Sequence, residues 1–291
     1  MNDFDLTALV NGAAAEYKGP GGTVYRGLTL QDVAEITAYA GAAAYEVEIA
    51  ALKQGVWPRH YVRNTTSYSA AEQIALLSAN VMIVGLGGLG GQTAIQLARM
   101  GVGRLTMMDC DVFDETNLNR QMLSVTETLG QPKVAAAHKT IAAVNPLVQI
   151  EVRHKAWESD MADLSLLRGH DVCVDCLDNL KTRVLLARAC KEAGIPLVSA
   201  SIGGFCGQLT VFWPSGEGPE TVFGTFDDSL SREDSKGCEV SAGTPGPTAA
   251  AVASLQALEV GKVIAKPGTA LHNAVLLLDF SGYNMQIIDF K

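Results

Sequence analysis

The sequence has few aromatic residues, a deficit of basic residues and no long apolar run. Aromatic residues make up 6% of the 291 residues, whereas hydrophobic residues together make up 48%. That balance is typical of helices packed on a parallel sheet and disfavours an all-β protein. No apolar run approaches the ~20 residues that cross a bilayer, and the acidic N-terminal segment lacks the basic region of a signal peptide. These absences predict a cytoplasmic α/β protein.

The charge balance disfavours a second class of function. The chain carries 22 Lys and Arg against 31 Asp and Glu, a formal net charge of −9. A field of that sign repels nucleic acids and anionic membranes, although a local basic cluster can still hold a phosphate. We therefore expect neither a nucleic acid nor a membrane as partner.

Residues 1–57 are predicted to form a helical N-terminal extension to a main domain at 58–291. Thr29–Leu52 is rich in helix-forming residues, with apolar positions recurring at three and four residues. Thr29 with Asp32 indicates an N-cap at the start of this helix.

From residue 80 onward, predicted strands and helices alternate. Strands are expected at 81–84, 105–109, 150–156, 172–176 and 197–202, with helices at 91–100, 133–144 and 182–193. This rhythm predicts a Rossmann-like, doubly wound, mainly parallel sheet with helices on both faces. After Gly207, three further strands and a long helix at about 248–264 predict an antiparallel C-terminal extension.

A glycine-rich turn follows the first of these strands. Its sequence GLGGLG supplies Gly85, Gly87, Gly88 and Gly90 between a strand and a helix, and Asp109 ends the next strand. Glycines there let backbone N–H groups approach a phosphate at the helix N-terminus, and the acid can hold a ribose. Taken alone, this pattern predicts a nucleotide site and favours a nicotinamide or flavin enzyme.

The residues that follow favour a different use of the nucleotide. The chain continues with Asp109-Cys110-Asp111, then Asn117-Leu118-Asn119-Arg120-Gln121, then Gly130-Gln131-Pro132-Lys133. A dehydrogenase has no need for this cluster of cations and amides, whereas an enzyme that positions a triphosphate does need it. Further on, Asp175-Cys176-Leu177-Asp178-Asn179 leaves a strand at the edge where α/β sheets bind ligands, and a carboxylate there suits Mg²⁺.

In this order and spacing, these segments resemble the ThiF/MoeB/HesA adenylyltransferases, relatives of the ubiquitin-activating enzymes. The family signature joins a G-x-G-G-x-G loop, a D-x-D, an N-L-x-R-Q, a G-x-x-K and a D-x-x-D-N. Here these segments are GLGGLG, DCD, NLNRQ, GQPK and DCLDN. The resemblance runs from about His60 to Phe290, about four fifths of the chain.

The resemblance implies a role for each matching residue. It assigns Asp109 to the ATP ribose, Arg120 and Lys133 to the phosphates, and Asp178 to Mg²⁺. Arg120, Lys133 and Asp178 are the expected catalytic residues. The other nucleotide-binding positions that it implies are Gly85, Gly87, Gly88, Gly90, Asp111, Asn117, Gln121 and Asn179. Asp178 could instead cap the helix ahead of Thr182, or serve both purposes.

The family also has an R-Y-x-R-Q element before the first strand, whose second arginine reaches into the partner subunit's site. Here residues 59–64 are RHYVRN, so Arg63 matches that arginine and Asn64 replaces the glutamine. The match implies a homodimer in which Arg63 completes the neighbouring site. A solvated linker charge is the alternative.

By this resemblance, a substrate carboxylate attacks the α-phosphorus of ATP and releases pyrophosphate. No protein base is required, because a carboxylate is ionised at neutral pH. The expected substrate is a small ubiquitin-like sulfur carrier of the ThiS/MoaD type ending in Gly-Gly, serving thiamine, molybdopterin or tungstopterin synthesis. The alternatives are a tRNA threonylcarbamoyladenosine dehydratase, which the net charge disfavours, a nicotinamide-dependent oxidoreductase and a non-catalytic interaction protein.

The six cysteines are expected to be reduced thiols. Cys173 and Cys176 form a C-x-x-C, but residues three apart on a strand point to opposite faces and cannot share an ion. No second C-x-x-C completes a Cys₄ site, so no zinc is expected. Cys238 lies near a position where the family often has a cysteine that receives the activated carboxylate or takes part in persulfide transfer. An incidental loop cysteine is the alternative.

Overall fold

The computed structural model describes residues 6–157, 164–224 and 242–290. Its N-terminal part contains α1 (Leu6–Ala13), β1 (Ala15–Lys18), β2 (Val24–Leu28), α2 (Leu30–Ala40), α3 (Ala44–Lys53) and β3 (Trp57–Pro58). The predicted helical extension therefore also includes a small sheet. β1 and β2 form an antiparallel hairpin, and β3 pairs parallel to β2.

The single helix predicted over Thr29–Leu52 is two helices. Thr29 caps α2 as expected, because its hydroxyl accepts the Asp32 N–H at 3.1 Å while the Asp32 carboxylate accepts the Thr29 N–H at 2.7 Å. Gly41 then ends α2 in the left-handed conformation, with φ 66°, which glycine adopts without the penalty that a Cβ imposes. The apolar spacing continues across this break, so periodicity alone did not reveal it.

The main sheet has eight strands. They are β4 (Asn80–Val84), β5 (Arg104–Met108), β6 (Gln149–Arg153), β7 (Val172–Asp175), β8 (Leu197–Gly203), β9 (Cys206–Phe212), β10 (Ala274–Asp279) and β11 (Asn284–Asp289). Their spatial order is β11-β10-β9-β8-β7-β4-β5-β6. The strands from β8 to β6 run parallel, and β9, β10 and β11 continue the sheet antiparallel. Both the Rossmann-like parallel sheet and its antiparallel extension are confirmed.

Helices cover both faces of this sheet. One face holds α4 (Ala70–Ser78), α5 (Gly90–Met100), α6 (Lys133–Val144) and α10 (Gly246–Ala265), and the other holds α7 (Leu164–Leu167), α8 (Leu180–Ala193) and α9 (Glu220–Phe223). Val81 and Ile83 of β4 pack in the cluster with α5, whereas Met82 and Val84 pack in the cluster with α8. Because side chains alternate across a strand, a strand buried on both faces must be apolar throughout.

The long Ala-rich helix predicted at about 248–264 is α10. By length and composition alone it could cross a membrane, although no apolar run of that length was expected from the sequence. In the fold it is a core helix: Val252, Ala253 and Val260 are fully buried, and 56% of its most apolar window is buried.

The N-terminal part packs against the main domain. Its apolar core includes Leu147, which follows α6. Tyr61 packs with Leu52 of α3 and Leu77 of α4. β3 consists of residues 57 and 58, so strand pairing crosses the expected boundary between 1–57 and 58–291. That division stays a prediction.

Candidate functional site

The carboxyl ends of β4, β5 and β7 meet at one edge of the sheet. The last residue of β4 pairs with the last residues of β5 and β7. The segments that begin at Gly85, Asp109 and Cys176 are therefore neighbours. Three motifs that are far apart in the chain come together because parallel strands end at a common edge, which is where open α/β sheets bind ligands.

Close backbone approach requires two glycines of the loop. Gly85 has φ 91°, and a Cβ on it would lie 2.6 Å from the Cys176 carbonyl oxygen. A Cβ on Gly90 would lie 1.8 Å from the Gly85 oxygen. Gly87 and Gly88 have more room, with nearest atoms at 3.7 and 3.4 Å. Because α5 begins at Gly90 without a side-chain cap, N–H groups at its start can serve a phosphate, apart from the Gly91 N–H, which donates to the Gly87 carbonyl.

Asp109 is held at this edge by backbone donors. Its Oδ2 accepts the Leu86 N–H at 2.6 Å, and its Oδ1 accepts the Asp111 N–H at 2.8 Å. Burial raises the pKa of the Asp109 carboxyl, while the nearby Lys133 ammonium and the two backbone donors lower it. The acid thus ties the glycine loop to the segment after β5, the position expected for a ribose ligand.

Lys133 begins α6 with a buried side chain. Its Nζ lies 2.9 Å from Asp111 Oδ2, and the two side chains are 7% and 60% exposed. The backbone also joins these residues, because the Lys133 N–H donates to the Asp111 carbonyl at 3.0 Å. Backbone pairing between the D-x-D and G-x-x-K segments therefore brings this lysine to the site.

The NLNRQ segment lies against the glycine loop. A Cβ on Gly88 would lie 3.6 Å from the Arg120 carbonyl oxygen. The Arg120 guanidinium donates from Nη1 to the Thr116 carbonyl at 2.8 Å. Asn117 is buried, and its Oδ1 accepts the Asp114 N–H at 3.1 Å. The turn that precedes Arg120 is thus stabilised by the motif's own side chains.

Gln121 has an unsatisfied buried atom beside the glycine loop. The residue is 6% exposed, and its Oε1 has no hydrogen-bond partner in the described part of the chain. Its Nε2 lies 3.7 Å from where a Cβ on Gly87 would be. A buried oxygen left unpaired costs about 1–3 kcal/mol. The arrangement therefore fits a polar ligand with a hydrogen-bond donor, such as the hydroxyl or amino group of a nucleotide.

The residue that caps α8 is Asn179. Its Oδ1 accepts the Thr182 N–H at 3.1 Å, which corrects the alternative in which Asp178 was the cap. Asp178 is exposed on the loop between β7 and α8. Its carboxylate is therefore not used by the helix cap, whereas Asn179, which the motif placed among the nucleotide ligands, has a capping role.

A buried ion pair beside this loop was not predicted from the sequence. Arg183 Nε lies 2.8 Å from Asp175 Oδ2, with the side chains 7% and 0% exposed. Ser199 Oγ donates to the same oxygen at 2.7 Å, and the Leu177 N–H donates to Asp175 Oδ1 at 3.0 Å. The first acid of the D-x-x-D-N motif is thus occupied internally. The available signal was that Arg183 lies three, four and seven residues before buried positions of α8.

Within the described part of the chain, two arrangements could hold a metal ion. Asp109, Cys110 and Asp111 each bring one ligand atom to within 4.8 Å of the others. However, both Asp109 oxygens accept backbone N–H groups, and Asp111 pairs with Lys133, so these carboxylates are already engaged by donors. The exposed Asp178 carboxylate fits the usual Mg²⁺ arrangement with nucleotides, in which one or two carboxylates are joined by phosphate and water oxygens.

The remaining candidate residues have different outcomes. Arg63 is exposed in a 3₁₀ helix at Arg59–Asn64, and its role in a partner's site stays a prediction. Cys238 lies outside the described residues. Cys173 and Cys176 belong to the apolar clusters on opposite faces of the sheet, as strand geometry predicted, so this pair does not share an ion.

Comparison with known proteins agrees with the motifs. The ThiF family model matches residues 61–291. The chain is 36% identical over 212 residues to the molybdopterin-synthase adenylyltransferase of Salmonella typhimurium, a match covering 71% of this chain and 81% of that protein. Against the enzyme of the same name from Haemophilus influenzae it is 34% identical over 236 residues, which is 80% of this chain and 92% of that one.

Two further similarities differ in extent. The chain is 37% identical over 230 residues to the adenylyltransferase and sulfurtransferase MOCS3 of Mus musculus, a match covering 75% of this chain and only 47% of that relative. The chain therefore spans about half of that longer protein. The crystal structure of E. coli MccB with ATP matches 90% of this chain and 79% of its own, with TM-score 0.69 and 19% identity, a likeness of fold. On the family match and the two bacterial relatives, the chain belongs to the ThiF family, as its five motifs predicted.

Proposed function

We propose that this protein is an ATP-dependent adenylyltransferase that activates the C-terminal carboxylate of a small ubiquitin-like sulfur carrier. The observation that supports this best is the convergence of five family motifs at one sheet edge, where each motif lies against at least one of the others. Its bacterial relatives are molybdopterin-synthase adenylyltransferases. A Haloferax volcanii relative, 33% identical over 217 residues, is a SAMP-activating enzyme E1.

ATP fits the polar groups at this edge. The uncapped start of α5 and the accessible backbone at Gly87 suit a phosphate. Asp109 is positioned by two backbone donors to hold a ribose. The unpaired Gln121 oxygen would gain the donor that it lacks.

The reaction forms a bond between a carboxylate oxygen of the carrier and the α-phosphorus of ATP, and breaks the bond from that phosphorus to pyrophosphate. Lys133 and Arg120 would neutralise the negative charge that moves onto the leaving pyrophosphate. Because Lys133 is buried, its charge is less screened by water than that of a surface lysine. Mg²⁺, held by Asp178, would supply further positive charge on the phosphates.

Several finer statements belong to the same proposal. The carrier is expected to end in Gly-Gly, since a flexible small-residue tail can reach a narrow site. The working unit would be a cytoplasmic homodimer without structural zinc, and the pathway would be molybdopterin, tungstopterin or thiamine synthesis. The tRNA dehydratase alternative requires a basic surface, which the net charge of −9 disfavours.

Pyrophosphate exchange tests the proposal. Labelled pyrophosphate should enter ATP only when Mg²⁺ and a Gly-Gly-terminated carrier of the ThiS/MoaD type are present. Asp178→Ala and Arg120→Ala should each lower the exchange rate by at least ~100-fold, because each removes a group that stabilises charge in the transition state. Lys139→Ala and Glu127→Ala, exposed positions outside the five motifs, serve as controls and should keep the wild-type rate. Exchange that survives both site substitutions would overturn the assignment.

A further inference from the structure

Gln256 is a fully buried polar residue in the middle of α10. Its Nε2 donates to the Asp175 carbonyl at 2.8 Å and to the Val198 carbonyl at 3.1 Å. Its Oε1 accepts from Cys176 Sγ at 3.3 Å and from Thr93 Oγ1 at 3.3 Å, and the Thr93 hydroxyl divides its one proton between this oxygen and the Ala253 carbonyl, also at 3.3 Å. Burying an amide is unfavourable unless its hydrogen bonds are replaced, and here both its donors and its acceptor are used. An apolar side chain could fill the same space, so the particular contribution of the glutamine is that its hydrogen bonds join separate elements of the fold.

The four partners belong to the elements that carry the site. Thr93 is in α5, the helix that begins at the glycine loop. Asp175 is the last residue of β7, Cys176 is the first residue of the loop that leads to Asp178, and Val198 is in β8. A single side chain therefore joins the glycine-loop helix to the strand end that leads to the predicted metal ligand.

The same helix also contacts the phosphate segment. At the start of α10, a Cβ on Gly246 would lie 2.5 Å from the Asn119 carbonyl oxygen and 3.5 Å from Arg120 Cα. One turn later, Ala249 Cβ lies 3.4 Å from where a Cβ on Gly88 would be. A helix advances about 1.5 Å per residue, so a shift of α10 by one residue along its axis is large compared with these contacts. Such a shift would either push the start of α10 into the NLNRQ segment or open a gap between them. The Gln256 amide opposes such a shift, because it is bonded to two different strands.

The strand end that Gln256 holds is also held from the opposite face of the sheet. There the Asp175 carboxylate is bound by Arg183 and Ser199, while Gln256 holds the Asp175 carbonyl from the α10 side. The loop to Asp178 thus starts from a backbone restrained on both sides.

We propose that Gln256 is a positioning residue for adenylylation. It lies outside the set of nucleotide ligands and acts by keeping the glycine loop, Arg120 and Asp178 in one relative placement. The inference rests on the proposed function, because it assumes that these three elements work on the same nucleotide. A misplacement of about 1 Å can lower a reaction rate by about 100-fold even when the ligand still binds.

The test compares Gln256→Met, which keeps the length and removes all four hydrogen bonds, with wild type and with Ser254→Ala on the exposed side of α10. We expect kcat for pyrophosphate exchange, per folded molecule, to fall about 10- to 100-fold in Gln256→Met, while KM for ATP changes by less than about 3-fold. ATP binding by Gln256→Met should also need more Mg²⁺. The measurement is the Mg²⁺ concentration at which ATP binding is half-maximal, determined by calorimetry without the carrier, and it should rise. Ser254→Ala should match wild type in all three.

Thr93→Val is a milder variant that removes one of the four bonds and keeps the shape, and it should lower kcat by about 3-fold. An unchanged kcat per folded molecule in Gln256→Met would overturn the inference. If Gln256→Met does not fold, an unchanged kcat in Thr93→Val would overturn it instead. If wild type binds ATP with Mg²⁺ but catalyses no exchange, the proposed function fails. The Mg²⁺ dependence of ATP binding then still tests the positioning role apart from adenylylation: a higher midpoint in Gln256→Met shows that Gln256 places Asp178 for the bound nucleotide, and an unchanged midpoint overturns the inference.

Discussion

The Lys133 ammonium lies 2.9 Å from the Asp111 carboxylate, although the lysine is buried and the aspartate is mostly in solvent. A buried cation needs a nearby anion, because desolvation disfavours an unpaired charge. Asp111 meets that need at the same edge where phosphates are proposed to bind. The Lys133 ammonium is therefore already shielded from water, and its counter-ion, the Asp111 carboxylate, is accessible to solvent.

The first prediction concerns this pair. Asp111→Asn should lower the free energy of unfolding by about 1 kcal/mol, because Lys133 loses its closest anion while the charge of Asp109 remains nearby. Urea unfolding of the two proteins measures the difference. Glu127 is an exposed carboxylate between Asp111 and Lys133 in the chain. Glu127→Gln should therefore change the free energy of unfolding by much less. Equal effects of the two substitutions would mean that the ion pair adds no stability.

The second prediction concerns Arg63 and a shared site. Arg63→Ala and Lys133→Ala should each be nearly inactive alone. If Arg63 acts in the partner's site, a mixed dimer contains one site with both defects and one with neither. After subunit exchange, up to about a quarter of wild-type activity should return, since about half of the dimers are mixed and half of their sites are intact.

Recovery must be measured together with the extent of subunit exchange, for example by native mass spectrometry. Mixing each variant with itself is the control and should recover nothing. No recovery despite complete exchange would show that Arg63 acts within its own chain or has no role in the site.

The third prediction concerns zinc. Purified protein should contain well under one zinc per chain by elemental analysis, and chelators should leave its melting temperature unchanged, because a structural zinc would contribute directly to folding. The physical reason is that Cys173 and Cys176 lie on opposite faces of the sheet. Stoichiometric zinc lost together with a fall in melting temperature would contradict this.

The fourth prediction concerns Glu48, which is 1% exposed and lies 3.1 Å from His60 Nε2. Burial raises the pKa of the Glu48 carboxyl above its ordinary 4.5, and the His60 contact opposes this. A raised pKa in the folded state means that the stabilisation is present below about 4.5 and is lost as the pH rises through the folded value. The stability of wild type relative to Glu48→Gln should therefore fall with rising pH above 4.5 and then level off.

Unfolding by urea at a series of pH values measures that difference. Glu35→Gln removes an exposed carboxylate of α2 and should give a difference from wild type that changes little over the same range. A wild-type stability that rises relative to Glu48→Gln as the pH increases would show that the His60 contact outweighs burial.

Local features were predictable wherever neighbouring residues in the chain specify them. The bounds of α6 match the expected 133–144, because the Asn-Pro that follows it marks its end. The break at Gly41 was not predictable from periodicity, since the apolar spacing continues across it. The choice between Asp178 and Asn179 as the cap of α8 also required coordinates, because both side chains are common N-caps.

The order and spacing of the five motifs, and with them the family and the residue types at the nucleotide site, were already present in the chain, because each motif lies within a few consecutive residues. Only the tertiary structure decided which polar residues serve the ligand and which serve the fold. Asp175 meets Arg183 of α8 and Ser199 of the neighbouring strand β8, and Gln256 meets Thr93 across 163 residues of sequence. Such pairings depend on strand order and helix packing, which the spacing of the motifs does not specify.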